Sequence, residues 1–478
     1  MKRIISLALS LILAFSLCVP AFAANETADY NGDPIVVVRG IDFAGLVKDD
    51  GSKAITVDAF DVFNLVLDIG SYKARGDKDA TINAIVQFGK NLFSDVACDK
   101  EGNPLNPDVH IPKFLTSADK IDLSGDEWAD TAVGLFRSLA NRFGGKNVYL
   151  YTFDWRLSPS DLADDLNSFL ELVKTETGKD KLDIAACSMG GMITTAYIDK
   201  YGTDSLDSVV FLSSAHNGGD IVGSAFTGDL SIGGDMLSSF VISKVSTNWF
   251  LKILIKLLDI LGIVDSLANF VDDVITTHKD IIYDDFLCET FATAYGLWSL
   301  IPDEYFDEAV KLFFEGKEGY DTALAEIEKV RSFVTGTEEI LAKATASETK
   351  ISFVSHYNSA QLPIYSNCDM HGDGVLESKR TSGNGTFAKY GETLTDSELE
   401  GVPAEFISPD RVVNASTCLY KDVTWIVKNA KHVGCKDNSD HTEFAIWLLT
   451  QDVQPTVTTN PAYPRFMNTD ANENFIAF

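Results

Sequence analysis

The stretch Asp183-Ile184-Ala185-Ala186-Cys187-Ser188-Met189-Gly190-Gly191 decides the reading of this chain. An apolar run of strand character ends at Cys187, and a helical pattern that closes at Gly202 begins just after Ser188. A serine between the two sits on a sharp strand-to-helix turn, which needs small residues two before and two after it so that neighbouring chains can pass. Ala186 and Gly190 meet that need. The first of these positions is Ala where the usual pattern has Gly, a methyl that the turn accommodates. Such a turn presents the hydroxyl of Ser188 as a nucleophile. The NH of Met189, at the start of the following helix, then points where negative charge would develop on an attacked carbonyl oxygen.

Outward from this turn the chain alternates strand and helix. Ile35 to Val38, Val148 to Tyr151, Leu182 to Ala186, Val209 to Leu212 and Ile351 to Val354 are short apolar runs suited to strands buried on both faces of a parallel sheet. Leu162, Leu166, Phe169, Leu170 and Val173 share one helical face, with Ser160 available as N-cap and Gly178 as the stop. This predicts an α/β architecture with helices on both faces of a mostly parallel sheet and ligand chemistry at the carboxyl ends of the strands. Residues 222–348 break the alternation and read as a helical insertion, a cap or a lid. Within it, Asn248 to Ile275 is strongly apolar but carries Lys252, Lys256, Asp259 and Asp273, too many charges for an ordinary membrane span. Packing under other helices and covering an apolar cleft as a movable lid are both consistent with that pattern. The irregular stretch from Lys100 to Pro112 has no evident place on the sheet, and the polar tail after Gln454 reads as a surface arm.

Composition narrows the function. Met1-Lys2-Arg3, an apolar run from Ile4 to Val19 and the small-residue site Ala21-Phe22-Ala23 predict a signal peptide over residues 1–23, a mature chain from Ala24 and a secreted protein. Removing Lys2 and Arg3 leaves 37 basic against 70 acidic side chains, a net charge of −33 that disfavours nucleic acid by repulsion. Cys98, Cys187, Cys288, Cys368, Cys418 and Cys435 lack metal-ligand spacing, so neither a metal nor another cofactor is expected. Cys187 is expected as a packed thiol, and Cys418 with Cys435 as the pair to test for a disulfide.

Serine needs a base, and on this architecture its partners follow in the order Ser, acid, His. Among seven histidines, only His432 and His441 follow every plausible acid. His441 is preferred, because it follows the polar loop Lys436-Asp437-Asn438-Ser439-Asp440 and precedes an apolar helix; His432 reads as a surface residue in a Lys-containing segment. Asp373, in Gly372-Asp373-Gly374, is the expected acid, with Asp369 as competitor. The second oxyanion donor is expected from the turn Arg39-Gly40-Ile41-Asp42, at the Ile41 NH with Asp42 close behind.

Taken together these residues resemble the lecithin:cholesterol acyltransferase-like lipases and acyltransferases. Pro34 to Gly40 looks like that family's first strand and oxyanion turn, and Phe153-Asp154-Trp155-Arg156 resembles its Tyr-Asp-Trp-Arg segment. Ser213-Ser214-Ala215-His216-Asn217-Gly218-Gly219 resembles the Pro-His-Asn-Gly-Ser turn of many lipases, which makes His216 structural. Leu297-Trp298-Ser299-Leu300-Ile301-Pro302 resembles the Trp-Met-Leu-Pro segment of the cap, and Gly372-Asp373-Gly374-Val375 the acid loop. Arg39 departs from the Pro or His usual before the oxyanion-turn glycine. The resemblance implies an α/β-hydrolase fold with a helical cap, acting on lipid or small acyl esters through an acyl-serine, with possible contact to a lipid interface through the cap. Water as acceptor would make the chain a lipase or esterase, and an alcohol an acyltransferase. Loss of activity would leave a lipid-binding protein on the same fold.

Overall fold

The structure is a computed structural model that describes residues 30–42, 45–56, 59–122, 131–230, 263–362 and 365–478. The predicted signal peptide and the apolar stretch before Ile263 lie outside these residues. Eight strands form one sheet in the order β10-β9-β8-β5-β4-β3-β1-β2. They are β1 (Ile35–Val38), β2 (Val148–Tyr151), β3 (Leu182–Cys187), β4 (Leu206–Leu212), β5 (Lys350–Tyr357), β8 (Thr424–Lys428), β9 (Phe466–Thr469) and β10 (Phe475–Ile476). All pairs are parallel except β9 with β10. Strand β1 lies between β2 and β3, with Val37 opposite both Leu150 and Ala185, and its four residues are fully buried. Continuous apolar runs are what a strand covered on both faces requires. This is the mostly parallel, helix-flanked sheet of the α/β-hydrolase fold.

Helices Pro159–Thr177, Met189–Tyr201 and Asp321–Thr345 pack together on one face of the sheet, while Thr131–Phe143 and Asp440–Leu449 pack together against strands from the other. The first is capped two residues before the expected Ser160. Ser158 is the N-cap, accepting the Asp161 NH at 3.2 Å, and Pro159 follows at the first helical position, where its missing NH and preset φ fit. Gly178 ends it with φ +69. Between β4 and β5 the described chain is helical, including Asp220–Thr227, Ile263–Thr277, Tyr295–Trp298, Asp303–Phe314 and Asp321–Thr345. No described helix is long and apolar enough to cross a membrane.

Two segments differ from expectation. The tail after Gln454 is no surface arm. Residues 466–469 extend the sheet beside β8, with Ile426 opposite Phe466, and β10 folds back on them. The irregular Lys100–Pro112 stretch is anchored at the carboxyl end of β2. The buried Arg156 fork grips Asp154 at 2.9 and 2.6 Å and donates to the Val109 carbonyl at 3.0 Å, while the Thr152 hydroxyl bonds the Pro112 carbonyl at 2.6 Å. Removing one partner of a buried ion pair strands the other. Arg156→Met is therefore expected to lower unfolding free energy by about 3 kcal/mol, measured in urea; a change under about 1 kcal/mol would show that the pair does not hold this loop.

Small antiparallel strands β6 (Thr386–Phe387) and β7 (Val413–Asn414) belong to a second apolar cluster with Tyr357, Leu394 and Ile426. Cys418 lies in this cluster, whereas Cys435 lies in the main core. The expected Cys418–Cys435 disulfide does not form, because the two thiols belong to different packing layers. None of the six described cysteines is in a disulfide.

Candidate active site

Ser188 occupies the turn between β3 and the helix Met189–Tyr201 with φ 52° and ψ −127°, a conformation that costs a non-glycine residue about 1–3 kcal/mol. Its backbone is held from several sides. The Ser188 NH donates to the Leu212 carbonyl at 3.1 Å, and the Ser188 carbonyl accepts from Gly191 at 3.0 Å and Ala215 at 2.9 Å. The small residues are sterically required. A Cβ on Gly190 would lie 2.5 Å from the carbonyl oxygens of Val38 and Arg39, and one on Gly40 would lie 2.7 Å from Ser188 Cβ and 3.2 Å from its Oγ. The turn Arg39–Asp42 thus passes directly against the serine.

Arg39 braces that turn. Its guanidinium pairs with Asp42 at 2.7 Å, and its NH bonds the Tyr151 carbonyl at 3.2 Å. The Asp42 side chain is therefore engaged in holding the turn, and Ile41 stands between the pair. The Met189 amide opens the helix that follows the serine, where the first NH groups have no acceptor within the helix and the dipole favours negative charge. Gly40→Ala is expected to displace the turn and cut kcat for an ester about 10²-fold with the fold intact, checked by steady-state kinetics beside circular dichroism. Unchanged kcat would remove this turn from the reaction.

Asp373 lies in the loop between β5 and β8, and its side chain is fully buried. Its Oδ1 accepts the NH groups of Val375 at 2.9 Å and Leu376 at 2.8 Å. Burial alone would raise its pKa, but the adjoining His432 and the Leu376 NH outweigh that and hold the carboxyl below its ordinary range. The competitor Asp369 instead pairs at 2.7 Å with Lys389, partly exposed.

The histidine that meets both ends of this arrangement is His432, not the expected His441. His432 Nδ1 lies 2.8 Å from Asp373 Oδ2 and its Nε2 2.8 Å from Ser188 Oγ. The His432 NH also donates to the Asp373 carbonyl at 3.0 Å, tying histidine and acid loops together. His441 is fully buried in the first turn of the helix Asp440–Leu449, with its Nε2 2.9 Å from His356 Nε2. Ser439 caps this helix by accepting the Thr442 NH, so residue 441 belongs to the helix and faces inward rather than projecting from the loop. That serine was a readable signal. A second lay in distance along the chain, since His432 follows the end of β8 by four residues, at the carboxyl edge where this fold gathers its chemistry. The strand itself, Thr424–Lys428, is not among the apolar runs that the sequence sets apart.

His216 is buried against Phe211 and Phe353, and burial pushes its pKa down to about 4. It lies outside the Ser188–His432–Asp373 series. Cys187 is buried in β3 beside the serine. Among the described residues no group of His, Cys, Asp and Glu is arranged to hold a metal ion.

No protein-family model matches this sequence, and no curated protein matches it either. Among solved structures the chain is similar to the N-acyl homoserine lactonase AidH complexed with N-butanoyl homoserine, at 13% identity and a TM-score of 0.25, covering 66% of this chain and 82% of that one. It is also similar to the Tle4–Tli4 complex, at 11% identity and a TM-score of 0.37, covering 87% of this chain and 97% of that chain. The α/β-hydrolase fold is defined here by the sheet order and the strained serine turn.

Proposed function

We propose that the chain is a secreted serine hydrolase that cleaves carboxylic esters, with lipid acyl esters as its substrate class. The unbroken series Ser188–His432–Asp373, two contacts of 2.8 Å ending on a carboxylate, carries this reading. His432 Nε2 takes the Ser188 proton as Oγ attacks the ester carbonyl. Asp373 holds the imidazole in the tautomer with the proton on Nδ1 and stabilises the imidazolium. The amides of Met189 and Ile41 receive the developing oxyanion. Collapse expels the alcohol, protonated by His432, and leaves an acyl-serine that water, activated by the same histidine, hydrolyses.

The lipid acyl class is supported by the resemblance of Phe153–Arg156, Leu297–Pro302 and Gly372–Val375 to the lecithin:cholesterol acyltransferase-like family and by the helical insertion between β4 and β5. Secretion is supported by residues 1–23. The test is hydrolysis of p-nitrophenyl butyrate and p-nitrophenyl palmitate by the chain from Ala24, with and without a lipid interface. Turnover favouring palmitate at an interface is expected. Preference for butyrate would overturn the lipid assignment, and no turnover together with no labelling by a fluorophosphonate would overturn the hydrolase.

A further inference from the structure

We propose that His356 is a positioning residue for His432, held in one tautomer by a buried series that runs through His441 to Cys435. This rests on the reading of His432 as the base. His356, near the end of β5, is fully buried and outside the Ser188–His432–Asp373 series. Its Nδ1 lies 2.8 Å from the Lys431 carbonyl and 2.9 Å from Ser213 Oγ, and Ser213 Oγ accepts the Val433 NH at 3.1 Å. One ring nitrogen thereby holds the residues on both sides of His432.

Such a clamp is needed because the loop is strained. Val433 has φ +62, a left-handed conformation unfavourable to a β-branched side chain, and Gly434 follows at φ +55. Strain of this kind persists only where the surroundings over-determine it. The His356 ring fills the space beneath, with Cε1 3.2 Å from where a Cβ on Gly434 would stand. Relaxation of residues 431–434 would carry the imidazole away from Ser188 Oγ, and a misplacement of about 1 Å costs about 10²-fold in rate.

The proton positions follow from donor and acceptor chemistry. A carbonyl oxygen only accepts, so the 2.8 Å contact to Lys431 places a hydrogen on His356 Nδ1. Burial keeps His356 neutral, its pKa pushed down to about 4, so its Nε2 is a lone pair. His441 Nε2, 2.9 Å away, must then carry a hydrogen. Burial and the neighbouring His356 keep His441 neutral too, which turns its Nδ1 lone pair toward Cys435 Sγ at 3.6 Å. Burial raises the Cys435 pKa, so the thiol keeps its proton to donate. The opposite arrangement, with His441 Nδ1–H directed to the Gly434 carbonyl, would gain that bond but set lone pairs of His356 Nδ1 and the Lys431 oxygen against each other at 2.8 Å.

The experiment combines ¹⁵N-histidine labelling of the full mature chain with two variants. In the parent, nitrogen shifts are expected to show His356 as the Nδ1–H tautomer and His441 as the Nε2–H tautomer. His356→Asn places an amide donor near the Nδ1 position. It is expected to keep kcat within about fivefold, whereas His356→Leu, lacking the donor, lowers kcat about 10²-fold with KM within about threefold. The downfield proton of the His432–Asp373 hydrogen bond is expected to persist in the Asn variant and to broaden in the Leu variant. An Nε2–H tautomer at His356 overturns the proposal even if the Leu variant fails to fold. Equal kcat in the two folded variants overturns it as well. If the parent neither hydrolyses an ester nor takes a fluorophosphonate, the hydrolase reading fails by itself, and the tautomers and the His432 resonance still decide the positioning.

Discussion

Replacing His432 with alanine is expected to lower kcat on a p-nitrophenyl ester by about 10⁴-fold or more, with the unfolding midpoint close to that of the parent. The imidazole is about one-fifth exposed, so its removal opens no sealed cavity, but it severs the proton path between Ser188 Oγ and the Asp373 carboxylate. Ser188→Ala should fall by as much, and the double variant no further, because groups that act as a unit are non-additive. His441→Gln supplies the contrast. Its amide nitrogen can still donate to His356 Nε2, so kcat is expected to stay within about tenfold while stability falls. Steady-state kinetics beside urea unfolding separates the two histidines. A 10⁴-fold loss at position 441, with activity retained at 432, would reverse the assignment.

Asp373→Asn carries the second large effect, again about 10⁴-fold in kcat with KM little changed. If the amide oxygen of the asparagine keeps the bonds from Val375 and Leu376, its NH₂ faces His432 Nδ1. That nitrogen must then accept, its hydrogen moves to Nε2, and a donor rather than a base confronts Ser188. The same substitution reads out in the pH dependence of stability. The folded-state pKa of Asp373 lies below the ordinary 3.8, so its contribution is fully present above that value and is lost as pH falls through the lower folded one. The gap in unfolding free energy between parent and Asp373→Asn should therefore narrow below pH 3.8; a constant gap would mean that the carboxylate gains nothing from its surroundings.

Much of the site was legible because local chemistry demanded particular residues. Ser188 between an apolar strand and a helix, flanked by Ala186 and Gly190, could be read from sterics alone, since only small residues let Val38, Arg39 and the serine turn pass. Asp373 was legible as a turn acid after a late strand. His432 was not. Its neighbour Lys431 is exposed, and nothing in Lys431-His432-Val433 announces that the chain there bends through a left-handed valine to aim the ring inward. The edge strand at 466–469 was equally hidden, because a half-buried Phe-Met-Asn-Thr draws its strand character from pairing with β8 rather than from its own pattern.

By itself, then, the sequence determined the parallel core, the serine turn and the Gly372-Asp373-Gly374 turn, features decided within a few residues by apolar continuity, chain crossing and turn chemistry. Only the tertiary structure decided which histidine faces the serine and which lies beneath it. That choice depends on where residues 371–376 and 429–439 meet beyond the ends of β5 and β8. Contacts between residues far apart in the chain, Asp373 with His432 and His356 with Lys431, set the outcome through hydrogen bonds that no local pattern encodes.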